Sequence, residues 1–519
     1  MQKLPIGVQS FGKLREYNLI YVDKTARLLK LVNNGFRYFL SRPRRFGKSL
    51  TLSTLEAMFA GKAELFRGLA AEEWVKEQSK NPSPVLRIDM SSLRDYSTAE
   101  ELNDSLVKCL EDLAFLHDVQ IAAERTGSGA LLRLILTLYK KFGSVVILID
   151  EYDKPILDNI KDLAKAEEMR GVLRSFYGVL KSCDEYLRFV FITGISKFSK
   201  MGVFSAMNNL FDISLIESYS DIVGYTQGEL EENFKEWIDL TASKINIDCS
   251  EILARLKDYY DGFSFDGKTR LYNPFSILNF FATSKFSNYW YVSGSSSFIV
   301  NYMKSHLISD PEVYRHFAVS ADFLDNYEIE RAKPESFLYQ SGYLTIENWE
   351  EDQITLNYPN VEVYKSITRM YLEDIYKVES YISLGSELWK TLSSGKILEA
   401  TEIYNRALAG IPYEDFAKRD EYWYRSLFLM LLRGAGITAF GEIHTHKGRS
   451  DLLIKFPQVS IILEFKFAKK SSEVEQKIAE GKQQLQERDY AKGYGVEGCE
   501  VVSAVVVADD ERHQVCCKL

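Results

Sequence analysis

Two short stretches of this 519-residue chain carry residue types whose spacing could do phosphate chemistry. The first, FLSRPRRFGKSLTLSTL (39–55), contains Gly47-Lys48-Ser49, the end of a G-x-x-x-x-G-K-[ST] phosphate loop. Such a loop works because backbone N–H groups converge on an anion at a helix N-terminus, where the dipole adds positive potential. Gly47 permits close approach, Lys48 can reach the outer phosphates, and the Ser49 hydroxyl can hold Mg²⁺. Arg42 stands where the first glycine belongs, and Pro43 brings no N–H. Arg44, Arg45 and Phe46 complete the expected nucleotide-binding set, the arginines adding charge that phosphates attract. Taken alone, the stretch can also be read as a basic, solvated turn.

A second segment weighs against that plain reading. SVVILIDEYDKP (144–155) is an apolar strand ending in carboxylates, as a Walker B strand does. Asp150 is expected to hold Mg²⁺ through water and Glu151 to act as general base, with Asp153 as the alternative base. The next strand ends in ITGISK (192–197), which places Thr193 either to sense a γ-phosphate or simply to cap the strand end.

The other stretch is GEIHTHKGRSDLLIKFPQVSIILEFKF (441–467). Phosphodiester hydrolysis needs a divalent metal, and hard cations take carboxylate oxygens. Asp451 and Glu464 lie on successive strands, and Lys466, two residues after Glu464, shares its face. The expected roles are Asp451, Glu464 and the Phe465 carbonyl as ligands of Mg²⁺, or of Mn²⁺, with Lys466 polarising the attacking water. Asp266-Gly267-Lys268 and Glu480-Gly481-Lys482 have the same spacing but sit on no apolar strand. Glu442 and Glu421 are further candidates, and His444 with His446 is either a soft-metal pair or a pair of surface residues.

These groups need elements to position them. Residues 1–224 alternate apolar strands (36–40, 84–90, 144–150, 187–193) with helix-spaced stretches (50–60, 98–115, 162–182), the pattern of a parallel α/β sheet. Residues 225–400 are rich in Tyr, Phe and Trp and expected to be mostly helical, the aromatics serving as core or as a stacking surface for bases. Residues 401–519 return to α/β in the order αβββαβ. The six scattered cysteines indicate neither a zinc site nor disulfides, and a net charge of −9 excludes wholesale binding to nucleic acid but not a local basic groove. With no apolar run of membrane-spanning length and no leader-like N-terminus, a cytoplasmic protein is expected.

YVDKT (21–25), RPRRFGKSL (42–50), LIDEYDKPI (148–156) and YNPFS (272–276) resemble the AAA-ATPase-like proteins that carry a C-terminal PD-(D/E)XK nuclease-like domain. The resemblance covers nearly the whole chain, and its arginine-rich loop is typical of that family. It implies a P-loop NTPase fold of the additional-strand class, the sensor strand lying between those of the loop and Walker B. GRSD (448–451), EFK (464–466) and Gln484 with Tyr490 resemble a restriction-endonuclease-like domain, in which Gln484 would position the lysine or the phosphate. The implied function is ATP hydrolysis coupled to Mg²⁺-dependent cleavage of nucleic acid, DNA by analogy, with homo-oligomerisation left open. The rivals are a nucleotide-switched scaffold that does not cut and an NTPase acting on protein partners.

Overall fold

Val145–Asp150 is buried at every residue, so this strand must lie inside a sheet covered on both faces. The computed structural model describes residues 1–93, 96–160, 162–197, 210–290, 311–324, 333–378, 381–411, 419–445, 448–488 and 500–519. The described residues of Met1–Ile299 and Tyr314–Val363 form one unit, and those of Val300–Val313 and Tyr364–Leu519 a second. The segment expected as a middle region therefore divides between the two. No helix among the described residues is long and apolar enough to cross a membrane.

In the first unit, β1 (Arg37–Ser41), β2 (Val85–Asp89), β3 (Val145–Asp150), β4 (Leu187–Gly194) and β5 (Phe211–Asp212) form a parallel sheet of order β2-β3-β4-β1-β5. β4 lies between the strand of the phosphate loop and the strand of Asp150, the additional-strand arrangement. Leu40 pairs with Thr193 and Ile149 with Ile192, so the three strands end side by side at one edge. That edge is where open α/β sheets bind ligands.

Helices Lys48–Phe59, Ala99–Leu116 and Leu163–Ser182 form where the apolar spacing asks for them. Helix Gly127–Phe142 is an addition to the elements expected from sequence. Its Gly-Ser-Gly opening reads as a loop, yet the Thr126 hydroxyl caps it and Ala130, Leu131, Leu134, Ile135 and Leu138 bury one face. Helices from 227 to 283 enclose a core of Phe234, Ile252, Leu256, Tyr260 and Phe280 that also takes in Ile20 and Val22. β6 (Phe317–Ser320), β7 (Thr345–Glu350) and β8 (Gln353–Asn357) add a small antiparallel sheet of order β6-β8-β7. Its half-polar strands offer no apolar run to read.

In the second unit, β9 (Thr438–Thr445), β10 (Gly448–Lys455), β11 (Val459–Ala468), β12 (Glu500–Asp509) and β13 (Gln514–Lys518) form a sheet of order β13-β12-β11-β10-β9. Only β11–β12 is parallel. Helix Glu421–Gly434 precedes the sheet and helix Val474–Arg488 crosses over between β11 and β12, giving the αβββαβ order with β13 as an extra edge strand.

Glu362, in the first turn of helix Val361–Met370, is wholly buried in the first unit. It accepts hydrogen bonds from Ser276 Oγ at 2.7 Å and Trp290 N at 2.8 Å. Burial pushes its carboxyl up to about 7. Its stabilising contribution is therefore fully present below the unfolded carboxylate value and is lost as pH rises through about 7. Glu362→Gln keeps the shape and mimics the protonated form. It is expected to melt higher than wild type at pH 8, on the order of 3–6 °C, with the gap closing near pH 5. Thermal melts across that pH range check it, and an equal gap at both ends would refute it.

Candidate active sites

At the loop, two residues take left-handed backbone conformations, Arg45 at φ +68° and Gly47 at +97°. Lys48, buried at the start of helix Lys48–Phe59, donates to the carbonyls of Arg42 at 2.8 Å and Pro43 at 2.9 Å. Burial holds its ammonium below the ordinary lysine value, against the charges of Asp150, Glu151 and Asp153. Ser49 is half-buried on the wall of the adjoining cavity. Phe46 packs edge-on against Phe263 and Phe265 with its side chain fully buried, so its ring is core and only its backbone is offered to a ligand.

Arg42 turns inward. Its guanidinium donates to the carbonyls of Ser41 at 2.9 Å, Ser214 at 2.6 Å and Ser220 at 3.4 Å, and lies 3.9 Å from the centre of the Phe265 ring. Burial lowers its pKa to about 10. The residue in the first glycine's position thus ties the base of the loop to residues 214–220.

Across the sheet edge, Thr193 Oγ1 donates to Asp150 Oδ1 at 2.7 Å, and the same oxygen accepts from Glu151 N at 3.1 Å. Thr193 is fully buried, its hydroxyl turned to the Asp150 carboxylate and, at 3.3 Å, to the Ile149 carbonyl. The sequence leaves both a γ-phosphate contact and a strand-end cap open for this residue, and these are the contacts it makes within the chain. Glu151 takes φ +49° and lines the cavity; burial raises its pKa, Lys48 opposing. Asp153, the alternative base, is buried and accepts from Ile195 N at 3.1 Å and Ser196 N at 2.6 Å. Those bonds make it a buried clamp between the ends of β3 and β4.

The cavity beside the loop holds about 480 Å³. Its apolar wall includes Tyr21, Val22, Val223, Tyr225, Phe275 and Leu278. Flat aromatic and branched aliphatic surface next to a phosphate loop suits a nucleoside. Sequence reasoning assigns no role to this wall, because it gathers three segments far apart in the chain. The available signal lies in YVDKT and YNPFS, whose aromatics border it. Asn273 caps helix Pro274–Thr283 and reaches the Arg44 carbonyl at 3.5 Å, joining wall to loop.

In the second unit, the β10–β11 register Leu452↔Leu463 sets Asp451 beside Glu464. Asp451 Oδ2 accepts from Phe465 N at 2.8 Å and Oδ1 from Arg425 at 3.1 Å. Lys466 Nζ donates to Glu464 Oε1 at 2.9 Å and to the Phe465 carbonyl at 3.0 Å. Glu421 begins helix Glu421–Gly434; burial raises its pKa, Lys466 opposing and Asp451 adding to the rise, which puts it in the field of the same cluster. Arg425, one helical turn on, is a site residue that sequence reasoning misses, and its i, i+4 spacing from Glu421 is the available clue. Gln484 lies half-exposed on helix Val474–Arg488, and among the described residues it makes no hydrogen bond to Lys466. Glu442 and His444 are on β9, but their side chains lie outside the described residues, as do His446 and Tyr490 entirely.

Among the described residues, no three His, Cys, Asp or Glu side chains gather closely enough to hold a metal alone. A two-carboxylate site completed by a carbonyl and water does fit. The Lys466 ammonium sits on two oxygens expected to be ligands, Glu464 Oε1 and the Phe465 carbonyl, so a cation is already accommodated there. Each carboxylate oxygen has two acceptor positions, so the bonds to Asp451 leave capacity for a hard cation. The all-oxygen set suits Mg²⁺ or Mn²⁺. At the loop, Ser49 and Asp150 likewise offer oxygens alone.

Residues 5–204 match the family described as "Predicted AAA-ATPase" and residues 419–518 one described as "PD-(D/E)XK nuclease superfamily". A curated relative from Azotobacter chroococcum mcd 1, "Uncharacterized protein in vnfD 5'region", is 33% identical over 513 residues, covering 96% of this chain and 94% of its own. Among solved structures, "Structure of the Aeropyrum pernix ORC1 protein in complex with DNA" is similar over 82% of this chain and 87% of that one. Its identity is 10% and its TM-score 0.26, a likeness too low to carry an argument.

The Thr193–Asp150 bond has a measurable consequence. Thr193→Val keeps the shape and removes the donor, a loss of roughly 1.5 kcal/mol for a hydrogen bond to a charged group. ATP affinity measured with Mg²⁺ is expected to fall about 10-fold, with affinity in EDTA unchanged. Equal losses under both conditions would assign Thr193 to packing alone.

Proposed function

The chain belongs to a family that joins an AAA-ATPase-like domain to a PD-(D/E)XK nuclease-superfamily domain, and on that premise we propose that it hydrolyses ATP and cuts nucleic acid, DNA in particular. The observation that carries the nuclease half is the Lys466 ammonium bonded to Glu464 and the Phe465 carbonyl beside Asp451. A domain that only bound nucleic acid would not need a buried glutamate with a lysine on it.

In the ATPase half, the backbone at Gly47–Ser49 cradles the phosphates and Lys48 leaves the loop carbonyls for them. Ser49 and Asp150 are the residues to hold Mg²⁺, Thr193 fixes Asp150, and Glu151 takes the proton of the attacking water. In the nuclease half, Asp451, Glu464 and the Phe465 carbonyl are the groups to hold Mg²⁺ or Mn²⁺. When bound, such a cation lowers the pKa of water and offsets charge on the phosphate. Lys466 orients the nucleophile, and Glu421 and Arg425 set the charge around Asp451. ATP turnover would gate or drive access to the nuclease site.

A second reading is a nucleotide-switched scaffold that binds without cutting. It is favoured by the internal compensation of the site, in which Arg425 faces Asp451 and Lys466 faces Glu464.

Plasmid DNA with Mg²⁺ or Mn²⁺, with and without ATP, separates these readings. Metal-dependent cleavage is expected. Lys466→Ala should lower it at least about 10²-fold, a loss of ~3 kcal/mol of transition-state stabilisation, with ATP hydrolysis intact. Glu464→Gln should be partly rescued by added Mn²⁺, and Lys466→Ala should not. Cleavage by Lys466→Ala at the wild-type rate would move the scaffold reading to first place.

Lys48→Ala tests the other half. It is expected to abolish ATP binding by calorimetry while the protein still melts cooperatively. Unchanged affinity would refute the nucleotide site.

A further inference from the structure

Charge around the cavity is unevenly engaged. Among the described residues its wall carries Lys24, Arg44, Arg45, Lys48 and Lys154 against the single carboxylate of Glu151. Lys24 is bonded to Glu229 at 2.6 Å, and Lys154 to Asp158 at 2.6 Å. Lys48 rests on the loop carbonyls. The exposed Arg45 lies with its guanidinium 4.7 Å from the centre of the Phe275 ring, on the nucleoside wall. Arg44 is left: half-buried, and with no side-chain hydrogen bond or ion pair among the described residues.

The backbone explains why the neighbouring arginines part. Arg45 adopts the left-handed conformation at φ +68°, uncommon for a residue with a Cβ and a cost the surrounding structure must sustain. The turn sends Arg45 toward Phe275, while Arg44 stays within the field of Lys48 and Glu151. The Arg44 carbonyl is tied to Asn273, which anchors the residue to the helix bordering the cavity. A γ-phosphoryl group on a nucleotide seated at Gly47–Ser49 would lie between Lys48 and the base carboxylate.

We propose that Arg44 is a catalytic cation supplied in cis, donating to the γ-phosphoryl oxygens in the transition state of ATP hydrolysis; this rests on the ATPase reading above. In that step the water oxygen bonds to the γ-phosphorus and its proton passes to Glu151. The bond to the β–γ bridging oxygen breaks, and its electron pair leaves with ADP. Charge building on the phosphoryl oxygens meets a guanidinium whose planar donors suit them. Phosphoryl-transfer enzymes obtain this cation either from their own chain or from a partner. Here the chain holds an unengaged one in place, so each protomer is competent alone.

The test uses the full-length protein and its Arg44→Ala, Arg44→Lys and Arg45→Ala variants, each first shown to melt like wild type. ATP turnover, ATP affinity and trapping of ADP with aluminium fluoride are measured for each. Arg44→Ala is expected to lower kcat about 10²–10³-fold with ATP affinity within about 3-fold of wild type, and to lose the aluminium fluoride complex. Arg44→Lys should recover part of kcat, and Arg45→Ala should weaken binding more than turnover. Specific activity of wild type should not change with protein concentration.

Arg44→Ala turning over at the wild-type rate overturns the inference and leaves the ATPase reading standing. So does wild-type kcat that rises steeply with concentration, which would point to a partner's cation. Wild type that binds no ATP, or binds it without turnover, overturns both.

Discussion

The hydrogen bond from Thr193 to Asp150 is the interaction around which the edge of the first unit's parallel sheet is arranged. It can form only because β4 lies between β1 and β3, bringing its end level with the loop and the acidic turn. A carboxylate at 1% exposure in a low-dielectric edge is costly unless its oxygens are engaged. Thr193 and the Glu151 amide meet that need and fix where Asp150 points. Asp153 repeats the device one turn on, engaging the amides of Ile195 and Ser196. Tyr152 adds a bond to the Ser196 carbonyl, and Tyr177 reaches back to the Tyr152 carbonyl. With both strand ends pinned, Glu151 can be held in a backbone conformation it would otherwise avoid.

The two sites handle their lysines alike. Lys48 and Lys466 both direct ammoniums at backbone carbonyls where a strand meets its site. Each is largely enclosed and near carboxylates, so each positive charge is balanced before any ligand arrives. The difference lies in the surroundings. Lys48 opens onto a roomy cavity with further cations, suited to a polyanion, whereas Lys466 lies among Asp451, Glu464 and Glu421, suited to a cation.

Much of this is legible in the sequence because it rests on short-range rules. Strands buried on both faces are continuous apolar runs, so β1 to β4 and β10 to β12 can be read with their carboxylates at the right ends. What escapes depends on distance or on ambiguous local signals. The Gly-Ser-Gly start hides helix Gly127–Phe142, and a polar turn before Gln514 hides β13. The apolar wall of the cavity beside the loop is assembled by packing, which no local pattern encodes. Thr193, Asp153 and Arg42 are recognisable as notable residues, but whether such a side chain faces a ligand or its own backbone is decided by neighbours distant in the chain.

Arg42 has a consequence for how the protein is made. A phosphate loop opening on glycine is shaped by local backbone freedom and can settle as soon as its strand and helix exist. Here the loop's base is held by carbonyls at 214 and 220 and by the face of Phe265. During synthesis from the N-terminus those partners are translated long after the loop has left the ribosome. The loop's base can therefore take its final form only once the segment around Phe265 has emerged and docked, and until then Arg42 is without those partners. The shape of the loop becomes a property of the finished unit, and a chain truncated before that ring would carry the full motif without the contacts that hold its base.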